Sequence, residues 1–195
     1  MTQAQQERAQ ANELPPGSIV SVLLAEHAKI RELFAQTSSA RGEARRASFD
    51  ELRELLAVHE ACEEIVVRPV TKRASDGAVA QARDQEEKEA SLALARLEKL
   101  ETDSPEFAEQ FAALERAVSE HAEAEESEEF PFLLASVDRE QQLKMGSRLL
   151  EAERIVPTHP HPATAGSSVA QKMIGPFAGL LDRARDAFSD ATTSR

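Results

Sequence analysis

Two copies of one short motif carry the residues most able to do chemistry. The first places Glu63 four residues after His59, and the second places Glu125 four residues after His121; in both, a second glutamate follows at once and a proline comes five residues later. Residues four apart on a helix share one face, so each histidine and its glutamate can reach a common point. Imidazole and carboxylate are ligands of divalent transition metals. The repeat therefore predicts a metal site between two helices.

The motif histidines lie on apolar stripes that point toward a protein core. His59 and Glu63 continue a stripe of leucines and valine, and His27 lies between Leu24 and Ile30 in the same way. A buried, unpaired carboxylate is very costly, so such a stripe needs a compensating cation. A single inward histidine is more often a hydrogen-bonded core residue, but three of them with two matched glutamates favour metal binding.

Composition restricts the classes of function. The chain has 35 acidic and 23 basic residues, a formal net charge of −12 and no basic patch, which argues against nucleic-acid binding. No apolar run approaches the roughly 20 residues of a membrane span, and the N-terminus has no apolar signal region. The single cysteine, Cys62, cannot form an internal disulfide and reads as a small buried hydrophobe. We expect a cytoplasmic protein without a membrane span.

Helical periodicity supplies the elements that would position these side chains. Four segments, at about 18–38, 44–69, 79–101 and 105–131, predict an all-α, antiparallel up-down four-helix bundle. A shorter fifth helix at about 140–154 and a C-terminal amphipathic helix follow. We predict a disordered tail at 1–16, the bundle at 17–155, a Pro- and Ser-rich linker at 156–168, and the amphipathic helix with its tail at 169–195. Pro69 should kink or end its helix.

The order of a lone histidine followed by the two copies of the motif resembles the ligand layout of the hemerythrin family, in its bacterial cation-binding branch. The resemblance covers about residues 18–155. It implies a four-helix bundle with two irons joined by an oxo or hydroxo bridge, although the spacing also permits manganese or zinc. Carried over by position, the implied metal ligands are His27, His59, Glu63, Glu87, His121 and Glu125. Glu63 and Glu125 would bridge both irons.

Glu87 and Ser91 depart from the family pattern. Glu87 stands where the third helix should carry a histidine, with Glu89 a poorer match, and Ser91 stands where oxygen carriers add another. Carboxylate ligation favours the ferric state, which suits an oxidase or a peroxide-consuming protein better than a reversible oxygen carrier. The resemblance thus implies binding or reduction of O2, peroxide or nitric oxide, with electrons from an external donor.

Two other functional classes fit the same residues. One is an iron-dependent sensor or store that reports to a protein partner through the C-terminal helix. The other is a metal-free helical interaction module. Most remaining glutamates near the motifs read as a solvated acidic face, with hydrogen bonding to a ligand histidine as a lesser role for some: Glu60, Glu64, Glu123, Glu126, Glu128 and Glu129.

Overall fold

The fold is known from a computed structural model that describes residues 1–72, 78–155, 179 and 182–186. Within these ranges every regular element is helical, which confirms the all-α fold class. The α-helices are α1 Gln3–Glu13, α2 Ile19–Ser39, α3 Gly42–Cys62, α4 Arg68–Thr71, α5 Ala78–Leu97, α6 Pro105–Ala124, α7 Phe130–Ser136 and α8 Arg139–Ile155. Two π-helical segments, π1 Glu63–Val67 and π2 Glu125–Glu129, continue α3 and α6. None of the described helices has the length and hydrophobicity to cross a bilayer.

Helix α1 replaces the disordered tail that the sequence predicts for residues 1–16. Thr2 caps its N-terminus by a reciprocal pair of hydrogen bonds with Gln5. Glu7 is fully buried and accepts a 2.6 Å hydrogen bond from Arg31 of α2. The helix has almost no apolar stripe and packs through alanines and this ion pair, so hydrophobic periodicity could not reveal it.

The long helices pair as antiparallel neighbours. His27 near the middle of α2 meets His59 near the end of α3, while Arg45 near the start of α3 donates to the Thr37 carbonyl near the end of α2. Helix α6 begins as its sequence predicts, with Pro105 at its first position and the Ser104 hydroxyl accepting from the Phe107 amide. This arrangement brings the inward faces of α2, α3, α5 and α6 together.

Each copy of the repeated motif changes helix type at its glutamate. The α-helical hydrogen-bond pattern ends at Cys62 and at Ala124, and a π-helical turn then runs through the next five residues. Proline lacks an amide hydrogen and crowds the carbonyl four residues earlier, so an ordinary helix would be disrupted there. The wider turn accommodates Pro69 without ending the helix, which continues to Thr71.

The core consists of two hydrophobic clusters with a polar layer between them. One cluster, around Leu23, Val58 and Leu133, joins the start of α2 to α7 and α8. The other, around Phe34 and Phe107, joins the far halves of α2, α3, α5 and α6. The histidines and glutamates of the motifs occupy the layer between the clusters. Apolar residues therefore flank the polar layer on both sides.

Helix α8 and the described part of the C-terminal segment close one end of the bundle. A Cβ on Gly146 would lie 2.1 Å from the Gly17 carbonyl oxygen, so only glycine allows α8 to approach this closely. Ala184 is buried in the first cluster, and Arg185 donates to Glu64 at 2.8 Å. Most of the predicted linker and C-terminal helix, from 156 to 178, lies outside the described residues.

Glu54 makes the stability of the bundle depend on pH. It is buried in α3, and burial, followed by the charge of Asp50, raises its pKa from 4.5 to about 7. The unfolded chain loses this proton at lower pH, so folding becomes less favourable as pH rises from about 4.5, and the cost is complete above about 7.

Replacing Glu54 by glutamine should therefore raise the free energy of unfolding by about 2 kcal/mol at pH 8 and change it little at pH 4.5. Denaturant unfolding of the two proteins at both pH values measures the difference. Glu43→Gln, at an exposed position of the same helix, is the matched control. An equal effect of Glu54→Gln at both pH values would refute the assignment.

Candidate metal centre

The structure brings all six predicted ligand residues together in the polar layer. Two overlapping groups each have one ligand atom per residue within 4.8 Å of every other. The first group contains His27, His59, Glu63 and Glu125, and the second contains Glu63, Glu87 and His121. Members of the first group are between 2% and 5% exposed. Glu63 is common to both groups.

Glu63 and Glu125 each direct their two oxygens to different histidines. Glu63 places Oε1 3.4 Å from His59 Nε2 and Oε2 3.9 Å from His121 Nε2. Glu125 places Oε2 3.5 Å from His27 Nε2 and Oε1 3.2 Å from His121 Nε2. A carboxylate that divides its oxygens in this way has the geometry required to bridge two metal ions.

Each of the three histidines is held at Nδ1 by a carboxylate. His59 Nδ1 lies 2.7 Å from Glu26 Oε2, and His121 Nδ1 lies 2.8 Å from Glu86 Oε2. His27 Nδ1 lies 2.8 Å from an oxygen of Glu126. A carboxylate accepts, so each Nδ1 carries the hydrogen, and in the neutral imidazole Nε2 keeps the lone pair that a metal ion would use. Metal-ligating histidines are usually oriented by this arrangement.

The sequence pattern does not predict these three carboxylates. The acidic run predicts a solvated face for Glu126, but that side chain is only 13% exposed, and no motif marks Glu26 or Glu86. Each of these carboxylates is next in the chain to a predicted ligand. Each one holds a histidine that belongs to a different helix. Successive helical residues point about 100° apart, so the neighbour of an inward ligand faces the adjacent helix. That adjacency was the available signal.

The opposed imidazoles require a positive charge between them. His27 Nε2 and His59 Nε2 lie 3.2 Å apart, and with both Nδ1 atoms protonated two lone pairs face each other. Burial by itself would lower the pKa of His59, but the charges of Glu63 and Glu26 raise it to about 10. Burial is likewise outweighed at His121, where Glu125 raises the pKa to about 11. The metal-free layer would thus bind protons strongly.

Two buried carboxylate oxygens also require a positive charge nearby. Glu63 Oε2 and Glu125 Oε2 have no hydrogen-bond partner although both residues are 2% exposed. Burial raises the pKa of Glu125, but the neighbouring His121 and His27 lower it well below 4.5, so this carboxylate is charged. Buried anionic oxygens that face the Nε2 atoms of histidines fit the hard and borderline metal ions that bind mixed His and Glu sites.

Glu87 divides its interactions between this site and a buried arginine. Its carboxylate contacts Nη2 of Arg68, and Arg68 also donates to Glu129 at 3.2 Å. Arg68 is 3% exposed and Glu129 is 7% exposed, so the expectation of a solvated Glu129 is wrong. A buried guanidinium needs such partners. The second ligand group therefore lies closer to a buried positive charge, that of Arg68, than the first group does.

Ser91 and Glu60 form a separate pair beside the site. Ser91 donates to Glu60 at 3.3 Å and is absent from both ligand groups. Glu60 is 8% exposed, which contradicts a solvated position, and burial is the main cause that raises its pKa to about 8. On the opposite side, Phe130 stacks on the His27 ring with centroids 5.5 Å apart. Cys62 is buried, as predicted.

A comparison with known protein families identifies the family of this chain. Residues 18–133 match the family model described as the hemerythrin HHE cation binding domain, a range that covers more than half of the chain and all six predicted ligands. The chain belongs to the hemerythrin HHE family. The predicted family resemblance is thus confirmed.

This HHE chain is similar to a protein of known sequence and to a protein of known structure. It is 28% identical over 134 residues to an uncharacterized hemerythrin-like protein of Schizosaccharomyces pombe, a match that spans 67% of this chain and 66% of that one. The crystal structure of a hemerythrin HHE cation binding domain-containing protein from Mycobacterium kansasii superposes with a TM-score of 0.62 at 19% identity, covering 88% of this chain and 96% of the other. The second likeness shows the shared fold.

If the HHE site holds metal, Glu26 should strengthen that binding through His59. Glu26→Ala removes the acceptor at Nδ1, so the imidazole loses both its orientation and part of its basicity. Metal affinity should fall about 10- to 100-fold, as measured by competition with a chromophoric chelator.

Glu120→Ala is the matched control for this experiment. Glu120 precedes His121 as Glu26 precedes His27, but it is exposed and holds no histidine among the residues that the structure describes. Its replacement should leave the affinity within about twofold. A similar loss in both variants would mean that Glu26 acts through general charge rather than through His59.

Proposed function

We propose that this protein binds two iron ions in the polar layer of its bundle and there binds or reduces O2, peroxide or nitric oxide. The observation that carries the proposal is the 3.2 Å separation of two Nε2 atoms whose Nδ1 atoms already have carboxylate partners. A shared proton would satisfy this pair alone. It would leave the buried oxygens of Glu63 and Glu125 without partners, whereas metal ions satisfy both.

The proposed ligands divide between two positions. His27 and His59 would hold one ion, His121 and Glu87 would hold the other, and the two central glutamates would be shared. Bound iron supplies redox chemistry and Lewis acidity. Glu26, Glu86 and Glu126 fix the rings so that each Nε2 points inward, and the two hydrophobic clusters flank the layer.

Glu87 and Ser91 support turnover over reversible oxygen carriage. A carboxylate in place of imidazole makes the second position harder and more anionic, which favours the ferric state. Electrons for repeated reduction would come from an external donor. Glu60, a buried carboxyl with a raised pKa beside His59, is placed to retain a proton near neutral pH.

Metal analysis of the full chain from iron-replete cells tests this proposal. Iron, manganese and zinc per chain are measured together, with an ultraviolet-visible spectrum before and after peroxide. About two irons per chain and a spectral change with peroxide are expected. A chain that retains less than about half an ion of any metal would overturn the proposal in favour of a metal-free interaction module.

One observation favours a second candidate, an iron-dependent sensor. The C-terminal segment reaches π1, where Arg185 contacts Glu64, the residue directly after the shared ligand Glu63. A metal-dependent shift of π1 would change this contact. Hydrogen exchange of residues 182–186 with and without metal separates the candidates, because a sensor predicts a large change in protection and an enzyme does not.

A further inference from the structure

A cavity of about 690 Å³ opens from the polar layer and extends between the long helices. Its inner end is lined by the cluster of histidines and by Glu63, whose Oε2 has no hydrogen bond. Its outer end is lined by Gln110 and Arg96. Ligand sites for organic molecules usually measure about 300–1,000 Å³. The cavity is therefore much larger than a diatomic gas or peroxide requires.

The cavity exists because two helices present alanine where their neighbours present large side chains. Ala90 and Ala93 of α5 face the same space as Phe34 and Leu56. Helix α6 adds four more alanines to the lining. Protein interiors are normally filled to crystal-like density, so an unfilled volume of this size beside a chemical site is a feature to be explained.

Shape and charge define what the cavity can accept. Arg96 follows Glu87 by nine residues, which corresponds to about 13 Å of helix, so the cavity is elongated along the bundle. The walls between its ends are mainly alanine and aliphatic side chains. Arg96 is exposed and has no ion pair among the described residues, whereas carboxylates dominate the inner end. Arg31 also lines the cavity, but it is paired with Glu7 and Glu123, so an anionic group is favoured at the outer end.

We propose that this cavity binds an aliphatic monocarboxylate, with its carboxylate at Arg96 and its chain directed toward the histidine cluster. The apolar walls stabilise the chain by removing it from water, and the guanidinium pairs with the head group. The proposal names a ligand class for the same site but does not depend on the metal. Binding of the carboxylate and binding of iron can therefore succeed or fail separately.

Calorimetric titration of the full chain with decanoate and with decanol tests the proposal. Decanoate should bind with one molecule per chain, and decanol should bind about fivefold more weakly because it lacks the charge. Arg96→Gln should weaken decanoate about fivefold and leave decanol unchanged. Ala93→Phe fills the cavity and should weaken both ligands more than tenfold. The titrations are repeated after chelation, which should leave both affinities in place.

Two matched variants control for surface effects. Arg116→Gln removes an exposed charge from α6, and Ala108→Phe adds an exposed ring to the same helix, both outside the cavity lining. Neither should change decanoate binding. If Ala93→Phe does not fold, Ala113→Phe at the exposed rim of the cavity replaces it. Absence of decanoate binding, or equal binding by wild type and the filled variant, would overturn the proposal.

Discussion

Glu63→Gln should reduce the metal content of the purified protein from about two ions per chain to fewer than about half an ion. Glu63 belongs to both ligand groups, and its two oxygens face two different histidines. The amide has one oxygen and no charge, so it can neither bridge nor offset the positive charge of two ions. Elemental analysis after purification from iron-replete cells measures the loss.

Two further glutamine variants make this prediction specific. Glu60→Gln changes a buried glutamate of the same helix that lies outside both groups, and it should leave the metal content unchanged. Glu87→Gln affects the second group alone and should leave about one ion per chain. If Glu63→Gln and Glu60→Gln keep equal amounts of metal, Glu63 is not a bridging ligand.

Removing the metal should lower the melting temperature of the wild-type protein by about 8–16 °C. A ligand that binds only the folded state stabilises it by about 4 kcal/mol at a free concentration of roughly 1,000 times Kd. Each kcal/mol shifts the melting temperature by about 2–4 °C in a protein of about 150–250 residues. Circular dichroism melts with and without a strong iron chelator measure the change.

The Glu63→Gln variant supplies the control for this measurement. With its metal site lost, its melting temperature should not respond to chelator. Equal melting temperatures of metal-loaded and metal-free wild type would contradict a coupling between metal and stability, and would indicate that the hydrogen bonds to Nδ1 alone hold the layer together.

The fold class and the inward-facing residues could be predicted because both follow from position within a helix. The spacing of apolar residues identifies each inward face, and histidine and glutamate four apart on that face must point to the same place. The six predicted residues meet in one layer for this reason. The Ser104 and Pro105 pair marked the start of α6 equally well, because capping is a local interaction.

Features that depend on contacts between helices could not be predicted in this way. Arg68 finds Glu87 and Glu129, and Glu26 finds His59, only after the helices pack at particular rotations. Helix α1 is held by the buried Glu7 and Arg31 pair, whose partners are 24 residues apart. The cavity is also invisible to a sequence pattern, since an alanine reads as a good helix former whether or not a neighbour fills the space beside it.

The paired contacts of the polar layer follow an approximate two-fold symmetry. Glu26 holds His59 as Glu86 holds His121. Nine positions after these histidines, Arg68 contacts Glu87 of α5 and Phe130 stacks on His27 of α2.

The two halves differ in the contact that these matched positions make. Where Phe130 stacks on His27 in one half, Arg68 contacts Glu87 in the other. The aromatic and imidazole pair of one half therefore corresponds to a guanidinium and carboxylate pair in the other. Restoring the symmetric form requires both positions, because Glu87→His alone would place an imidazole against the buried guanidinium of Arg68 and would remove one of its carboxylate partners, leaving Glu129.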